Sequence, residues 1–332
     1  MNYIGSKHKL SNFILETVTE TCGKDLSNKI FCDLFAGTGI VGRNFKPFVK
    51  QVIANDVEYY SFVLNRNYIG NHIAFEDEDF IKELNSLKEK KGFIFKNYSE
   101  GGKAGRNYFT SENGQKIDAV RLQIEAWKKD SKITEDQYFF LLASLLESAD
   151  KVANTASVYG AYLKHIKVSA AKKILIKPAV FQQTENTHKV FQQDSNSLIQ
   201  KIEGDILYLD PPYNARQYGA NYHLLNTIAK YDTFVPKGKT GLREYYKSDW
   251  CRTGEVLKSF GELIENAQFP YIFLSYNNEG LMGQKEVKAV MERFGKYTLK
   301  TKKYQRFKAD KTESRNHKAS ETFEYLHILE KS

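Results

Sequence analysis

The sequence predicts an α/β fold with a Rossmann-like, mostly parallel sheet that ends in an antiparallel β hairpin and is interrupted by a largely helical insertion. Three observations support this prediction. Strand-like apolar runs alternate with helical spacing over residues 30–69, an order that produces a parallel sheet with right-handed crossovers. Residues 71–185 break the alternation. Two β-rich runs, 296–304 and 322–329, follow at the end of the chain.

The predicted elements can be placed in order along the chain. Apolar residues at helical spacing predict a first helix over residues 6–20, and two amphipathic stretches, 115–128 and 135–153, predict helices of the insertion. The buried strands of the sheet are predicted at 30–35, 51–56, 189–193, 205–209 and 270–276. We therefore expect a sheet domain of residues 1–70 plus 186–332 and an insertion of residues 71–185.

Composition narrows the class of protein. The 332 residues carry a net charge of +9, and 14% of them are aromatic, a balance that suits a polyanionic, base-containing partner without requiring one. No long apolar run or signal-peptide core is present, so we expect a cytoplasmic protein with no membrane contact. The three cysteines have no CxxC spacing and the seven histidines no ligand spacing, so we expect no metal site.

The most informative segment is residues 205–213, an apolar strand that runs into Asp-Pro-Pro-Tyr. Such a strand delivers a carboxylate to the carboxyl edge of an open sheet, where ligands bind. Pro211 and Pro212 stiffen the turn and lack N–H groups, which leaves few local donors for the carbonyls. Asp210 and the Pro211 carbonyl are therefore a candidate pair of acceptors for an exocyclic amine, with the Tyr213 ring available for stacking. An ordinary strand-ending turn is the alternative for these four residues.

A second candidate site begins where residues 33–39, Asp-Leu-Phe-Ala-Gly-Thr-Gly, turn from strand to helix. Glycine allows close backbone approach, and the helix N-terminus adds a partial positive field. The segment is not a GxGxxG dinucleotide fingerprint. Asp33 would repel a diphosphate and suits instead a cationic end, such as an ammonium or a sulfonium. A generic glycine turn remains the alternative.

Two further acids follow predicted strands. Asp56 ends the second strand, where a carboxylate can accept from both ribose hydroxyls, and Asp194 follows the third, near enough for an adenine amino group. Together with Asp33 they describe a pocket for a neutral-to-cationic nucleoside. S-adenosylmethionine fits this description better than NAD or ATP, and no GxxxxGK[ST] loop is present to hold a triphosphate.

The order of these motifs resembles that of the Dam-like, alpha-type adenine-N6 DNA methyltransferases. The family arranges a Tyr-x-Gly-x-Lys element, an FxGxG turn, an acidic second strand, a recognition region and Asp-Pro-Pro-Tyr in this sequence. Here the matching segments are residues 3–7, 35–39, 55–56, about 71–185 and 210–213. Ser6 departs from the pattern, because the family usually has a second glycine there. The match covers most of the chain in order.

The resemblance implies a Rossmann-like methyltransferase sheet that binds S-adenosylmethionine, with a target-recognition insertion that binds double-stranded DNA. Lys7 would lie near the carboxylate of the cofactor, and Asp210 with the Pro211 carbonyl would bind the amino group of a flipped-out adenine. The residues that the resemblance and the strand-end argument together assign to the cofactor are Tyr3, Gly5, Ser6, Lys7, Asp33, Phe35, Gly37, Thr38, Gly39, Asp56, Asp194 and Ser195. It also implies a bacterial or phage enzyme at the nucleoid, with a separately encoded restriction endonuclease as a possible partner.

Basic and polar residues outside these motifs are candidates for DNA contact. The acid-free stretch 164–177 is one group, and the residues after the Asp-Pro-Pro-Tyr turn and in the tract 296–318 are others. The candidates are Lys164, Lys167, Lys172, Arg216, Tyr218, Asn221, Lys303 and Arg306, with Tyr222 and His223 as further pocket residues and Arg106, Asn107, Asn113 and Arg121 as possible base readers. Solvated basic loops, and core packing for the aromatic residues, are the alternatives.

Three other functions remain open at this point. The same pair of acceptors would serve cytosine N4 in DNA or an amine in RNA, although the motif order favours adenine. A non-catalytic nucleic-acid-binding relative would keep the fold, but the intact Asp-Pro-Pro-Tyr and glycine turn argue against it. A nicotinamide-linked oxidoreductase is disfavoured by the missing fingerprint and by Asp33.

Overall fold

The computed structural model describes residues 7–156, 158–304 and 322–332. Apart from the gaps, the chain forms two compact units. The sheet unit contains residues 7–57, Thr184–Gln217 and Tyr246–Ser332, and the helical unit contains Glu58–Gln183 and Tyr218–Tyr245. The predicted insertion 71–185 therefore lies almost wholly in the helical unit, which also takes in residues on both sides of it.

A seven-stranded sheet organises the sheet unit, in the order β3-β2-β1-β4-β5-β7-β6. The strands are β1 (Ile30–Asp33), β2 (Gln51–Asn55), β3 (Lys189–Phe191), β4 (Ile206–Leu209), β5 (Tyr271–Asn277), β6 (Gly295–Tyr304) and β7 (Thr322–Lys331). Strands β1 to β5 pair with one another in parallel, whereas β7 is antiparallel to both β5 and β6. The predicted α/β fold, a mostly parallel sheet with an antiparallel end, is confirmed.

Burial explains why the central strands read as continuous apolar runs. Every residue of β4 is buried, and so are the last three residues of β1. Parallel strands covered by helices on both faces have no polar side, so they lack the alternation of a half-exposed strand. The core of this unit includes Leu207 and Leu209 of β4, Ile272 and Leu274 of β5, and Phe260 from a covering helix.

The helices of both units are short except for two. Within the described residues the α-helices are α1 (Ser11–Cys22), α2 (Ile40–Phe45), α3 (Tyr59–Asn65), α4 (Glu78–Ser86), α5 (Phe93–Tyr98), α6 (Ser111–Lys129), α7 (Glu135–Lys151), α8 (Ser195–Leu198), α9 (Tyr218–Asn221), α10 (His223–Lys230), α11 (Val256–Asn266) and α12 (Gln284–Met291). Shorter 3-10 turns occupy Lys7–Leu10, Ile199–Lys201 and Asp249–Cys251, and a π turn occupies Arg66–Gly70. None of these described helices is long and apolar enough to cross a membrane.

Helix α7 is the centre of the helical unit. Thr134 and Gln137 form a capping box at its start, which satisfies backbone N–H groups that would otherwise lack partners. The predicted apolar face is buried, and so are Phe140 and Ala143 on the opposite side of the helix. A helix buried all round is a core helix rather than a surface helix, so the largest apolar cluster of this unit forms around it.

Candidate active site

The strand order places the candidate residues at one edge of the sheet. From β1 the chain proceeds outward through β2 and β3, then returns to β4 on the other side of β1. Ligands of open α/β sheets bind at the carboxyl ends of strands where the order reverses in this way. Asp33 is the last residue of β1, Asp56 follows β2, and Asp210 follows β4. Asp194, the third acid predicted around the glycine turn, follows β3. The carboxyl ends of these four parallel strands thus each carry or precede an acid, and the binding of a cofactor by Asp33, Asp56 and Asp194 stays a prediction.

The glycine turn after β1 depends on two positive backbone angles. Gly37 has φ of 52° and Gly39 has φ of 76°, both in the left-handed region where residues with a Cβ are strained. The Gly37 N–H donates to Asp56 Oδ2 at 2.8 Å, which connects this turn to the end of β2. Thr38, between the two glycines in the sequence, is half-buried. The turn and the second-strand acid thus form one hydrogen-bonded structure.

Asp33 is the most deeply buried of the three acids, with 1% of its surface exposed. Its Oδ2 accepts from the Gly42 N–H of helix α2 at 3.0 Å, whereas its Oδ1 has no hydrogen-bond partner among the described residues. Burial, reinforced by the charges of Asp210 and Asp56, raises the pKa of the Asp33 carboxyl to about 8. A cationic ligand group at Oδ1 would relieve this cost.

Asp210 is held in an ionic cluster. The Lys7 ammonium lies 2.9 Å from Asp210 Oδ1 and 3.1 Å from Glu324 Oε1. Burial raises the pKa of the Asp210 carboxyl to about 6; Lys7 opposes that rise and Glu324 adds to it. Burial alone would lower the pKa of Lys7, but the two carboxylates raise it well above the ordinary value, so its ammonium stays charged. One fifth of the Asp210 side chain remains exposed.

The Asp-Pro-Pro-Tyr turn continues from β4 without regular secondary structure. Pro211 is buried, and Pro212 and Tyr213 are half-buried, with the Tyr213 ring against the sheet core. Among the described residues, none donates a hydrogen bond to the Pro211 carbonyl oxygen. The carboxylate of Asp210 and this carbonyl are therefore both available as acceptors.

The third strand-end acid has a structural role that the sequence did not indicate. Asp194 caps helix α8 by accepting from the Ser197 N–H at 2.9 Å, and its other oxygen accepts from the Tyr246 hydroxyl at 2.9 Å. Ser195 beside it is buried. Both Asp194 oxygens thus already have donors, so a ligand amine would share them.

Aromatic packing near the glycine turn was also missed. The Phe35 ring meets Trp250 edge-on, with ring centroids 4.9 Å apart. The Trp250 indole N–H donates to Asn196 Oδ1 at 3.2 Å. Trp250 lies more than two hundred residues after Phe35, in a segment with no motif, so no local pattern could have identified it.

Several predicted positions fall outside the described residues, on exposed surface or in the helical unit. Tyr3, Gly5, Ser6 and Arg306 lie outside the described residues. Arg216 and Lys303 are exposed, while Tyr218 and Asn221 are half-buried in the helical unit, where the Asn221 carbonyl accepts from the Tyr159 N–H at 2.8 Å. Tyr222 and His223 are buried, which agrees with the alternative of core packing.

The possible base readers of the insertion are committed to internal contacts. Arg121 is buried, and its guanidinium donates to the carbonyls of Ile228 and Ala229 at the end of α10. Arg106 donates to the carbonyls of Asn97, Gly238 and Lys239. Asn107 and Asn113 bind backbone groups as well. Asn113 and Arg121 are buried and do not face solvent, which long-range contacts of this kind do not show in a sequence. Arg106 and Asn107 are half-buried, and base reading by these two residues stays a prediction.

Residues 163–177, which we call the basic strap, have no regular secondary structure but are fixed by amide side chains. Asn154 accepts from the Lys167 N–H and donates to the Leu163 carbonyl. The Asn113 side chain donates to the Ala170 and Lys172 carbonyls and accepts from the Ile174 N–H. The Asn85 side chain donates to the Ile176 carbonyl and accepts from the Ile176 N–H. Lys164 and Lys172 remain exposed on the strap, whereas the Lys167 ammonium donates to the Thr155 carbonyl.

Comparison with known proteins agrees with this geometry. Residues 3–292 match the model of the D12 class N6 adenine-specific DNA methyltransferase family. The chain is 62% identical over 333 residues to the Type II methyltransferase M.NlaIII of Neisseria lactamica, with all of both chains covered. It is 39% identical to M.CviAII of Paramecium bursaria Chlorella virus 1, with 93% of each covered, and 39% identical to M.FokI of Planomicrobium okeanokoites, of which it covers 53%.

The family match covers well over half of the chain, and it includes the glycine turn, the helical unit and the Asp-Pro-Pro-Tyr turn. The chain therefore belongs to the D12 class of N6 adenine-specific DNA methyltransferases, and it is an enzyme of adenine DNA methylation.

Proposed function

We propose that this chain transfers the methyl group of S-adenosylmethionine to N6 of an adenine flipped out of double-stranded DNA, and that Asp210 and the Pro211 carbonyl hold the adenine amino group. The observation that carries the proposal is the pair of adjacent acceptors at the reversal of strand order, beside the unpaired carboxylate oxygen of Asp33. The motif order, with the glycine turn before the helical unit and Asp-Pro-Pro-Tyr after it, supports the Dam-like alpha subtype.

The glycine turn suits S-adenosylmethionine. The Asp33 Oδ1 atom is a buried acceptor without a donor in the described chain, as an ammonium group requires. Asp56 accepts from the Gly37 N–H through one oxygen and is half-buried, which places an acid beside the turn for ribose hydroxyls. Phe35 offers an apolar wall. When bound, the cofactor supplies a methyl group on a positively charged sulfur.

The main contribution of the chain to the reaction is to position the adenine amine. An adenine N6 group donates two hydrogen bonds. Accepting both with Asp210 and the Pro211 carbonyl favours tetrahedral geometry at the nitrogen, which frees its lone pair from conjugation with the ring. The nitrogen becomes cationic as the new N–C bond forms, and the Asp210 carboxylate stabilises that charge. The Tyr213 ring provides a surface on which the extruded base stacks. No covalent bond to the enzyme is required.

The basic strap is the part of the helical unit best suited to the DNA backbone. Its lysines contact phosphates, and the three asparagines hold the strap in one conformation before DNA arrives, so less conformational entropy is lost on binding. The target-recognition role of residues 71–185 belongs to the same proposal. The Type II names of the relatives further suggest a restriction-modification system, with a separate endonuclease and a cytoplasmic site of action.

Labelled methyl transfer with Asp210→Asn tests the proposal. The amide oxygen can still accept from the adenine amine, but it lacks the negative charge that stabilises the nitrogen as it becomes cationic. Methylation should therefore fall by at least about a hundredfold while S-adenosylmethionine still binds. Asp205→Asn is the matched control, because Asp205 precedes β4 at the opposite edge and pairs with Lys29. Digestion of the methylated DNA then identifies the base, and N4-methylcytosine in place of N6-methyladenine would refute the assignment.

A further inference from the structure

A second carboxylate, contributed by β7, shares the counter-ion of Asp210. Glu324 Oε1 lies 3.1 Å from the Lys7 ammonium, which also lies 2.9 Å from Asp210 Oδ1. The Ser275 hydroxyl of β5 donates to the same Glu324 oxygen at 2.6 Å. Lys7, Glu324 and Ser275 are all buried, so solvent does little to weaken these contacts.

The position of Glu324 is unfavourable for folding alone. It shares a face of β7 with Leu326 and Ile328, two residues that are almost fully buried. An apolar side chain would be the stable choice on such a face, because removing a carboxylate from water is costly. A buried glutamate there indicates a task that an apolar residue cannot perform.

Charge balance identifies that task. A neutral Lys7–Asp210 pair would have little charge left for a nitrogen that becomes cationic. With Glu324 included, two carboxylates face one ammonium, and the cluster carries a net charge of −1. The excess negative charge lies where the reaction develops positive charge, and in a buried site its effect is strong.

We propose that Glu324 is a positioning residue that binds the Lys7 ammonium together with Asp210. Lys7 then neutralises Asp210 only in part, so that Asp210 keeps negative charge for the reacting amine. The inference rests on the proposed role of Asp210. Ser275 orients Glu324 through its hydroxyl, so the cluster joins the start of the described chain, the Asp-Pro-Pro-Tyr turn and β7.

Removing the charge of Glu324 has two consequences that can be measured separately. Stabilisation of the cationic amine weakens, which lowers the methyl-transfer rate at its pH plateau. The pKa of Asp210 also falls, because Glu324 is one of the groups that raise it. The acid limb of the pH–rate profile should therefore move to lower pH. A purely structural role for Glu324 would change folding stability without this shift.

The experiment compares Glu324→Gln with Glu330→Gln in single-turnover methylation of DNA between pH 5 and 9. Glu330 lies on the same strand and pairs with the exposed Lys296 at 2.8 Å, which makes it a matched control. We expect Glu324→Gln to lower the plateau rate by about tenfold and shift the acid limb downward, with DNA and cofactor affinities nearly unchanged. Glu324→Asp, which keeps the charge, should recover part of the rate. Glu330→Gln should behave as the parent.

An unchanged plateau rate and acid limb in folded Glu324→Gln would overturn the inference, as would a rate loss matched by Glu330→Gln. Thermal unfolding and circular dichroism establish that each variant is folded. Asp210→Asn distinguishes a failure of the role inferred for Glu324 from a failure of the proposed function. If Asp210→Asn is inactive while Glu324→Gln is normal, only the role of Glu324 fails. If Asp210→Asn retains full turnover, the proposed function fails.

Discussion

Replacing Asp33 with asparagine should stabilise the cofactor-free protein at alkaline pH and abolish its response to S-adenosylmethionine. The asparagine oxygen can still accept from the Gly42 N–H, so the turn is kept. Its amide N–H₂ then faces the position of the unpaired Oδ1, where it repels an ammonium group. The same change thus removes a buried charge and the acceptor that a cationic ligand needs.

The magnitude follows from the pKa of Asp33, which folding raises from 3.8 to about 8. The unfolded chain loses the proton near pH 4, whereas the folded protein keeps it until about pH 8, so the wild type loses stability as pH rises between these values. At about 1.36 kcal/mol per pKa unit, the wild type should lose on the order of 3 kcal/mol relative to Asp33→Asn between pH 5 and pH 8.

Urea unfolding of both proteins at pH 5 and pH 8, with and without S-adenosylmethionine, measures both effects. A saturating ligand at about a hundred times its Kd should stabilise the wild type by about 2.7 kcal/mol and the Asp33→Asn variant hardly at all. Asp205→Asn, at the other edge of the sheet, should keep the full response to the ligand. The reasoning is refuted if Asp33→Asn gains no stability relative to the wild type at pH 8, or if S-adenosylmethionine stabilises it as much as the wild type.

Two further predictions concern other parts of the chain. If Lys164 and Lys172 contact phosphates, replacing both by alanine should weaken the dependence of DNA binding on salt. The slope of the logarithm of the DNA association constant against the logarithm of the salt concentration, measured by fluorescence anisotropy, should shrink by about 0.9 for each lost contact. Lys129→Ala, at the exposed end of α6, should leave the slope unchanged. Burial lowers the pKa of His223 and His327 from 6.5 to about 4, so as the pH falls the unfolded chain takes up a proton at each ring before the folded protein does. Each histidine should therefore reduce the free energy of unfolding by up to about 3 kcal/mol between pH 6.5 and pH 4. In urea unfolding the advantage of the wild type over His223→Gln or His327→Gln should shrink over that range, and a constant advantage would contradict the proposed neutral state.

The centre of the sheet could be predicted from the sequence because its strands are buried on both faces and therefore appear as short apolar runs. The run predicted at 205–209 is β4 at Ile206–Leu209, and the run at 51–56 is β2 at Gln51–Asn55. The position of the acids followed from the same reasoning, since strand ends of parallel neighbours meet at one edge.

Contacts distant in sequence could not be predicted. The partner of Lys7 in β7 follows it by more than three hundred residues, and nothing in the sequence distinguishes Glu324, which binds Lys7, from Glu330 on the same strand. The role of the asparagines that fix the basic strap could not be predicted either. In a sequence, an amide side chain that binds a backbone group cannot be distinguished from one that faces solvent. Asn113 was assigned to base reading for that reason.

The place of β7 in the sheet also affects when the enzyme becomes competent during synthesis. This strand lies between β5 and β6, yet the ribosome makes it after both. Until it inserts, Lys7 and Asp210 lack Glu324, and β5 lacks its outer neighbour. A nascent or prematurely terminated chain would thus carry the Asp-Pro-Pro-Tyr turn without its complete ionic setting. Such unfinished polypeptides should be poor modifiers of the genome.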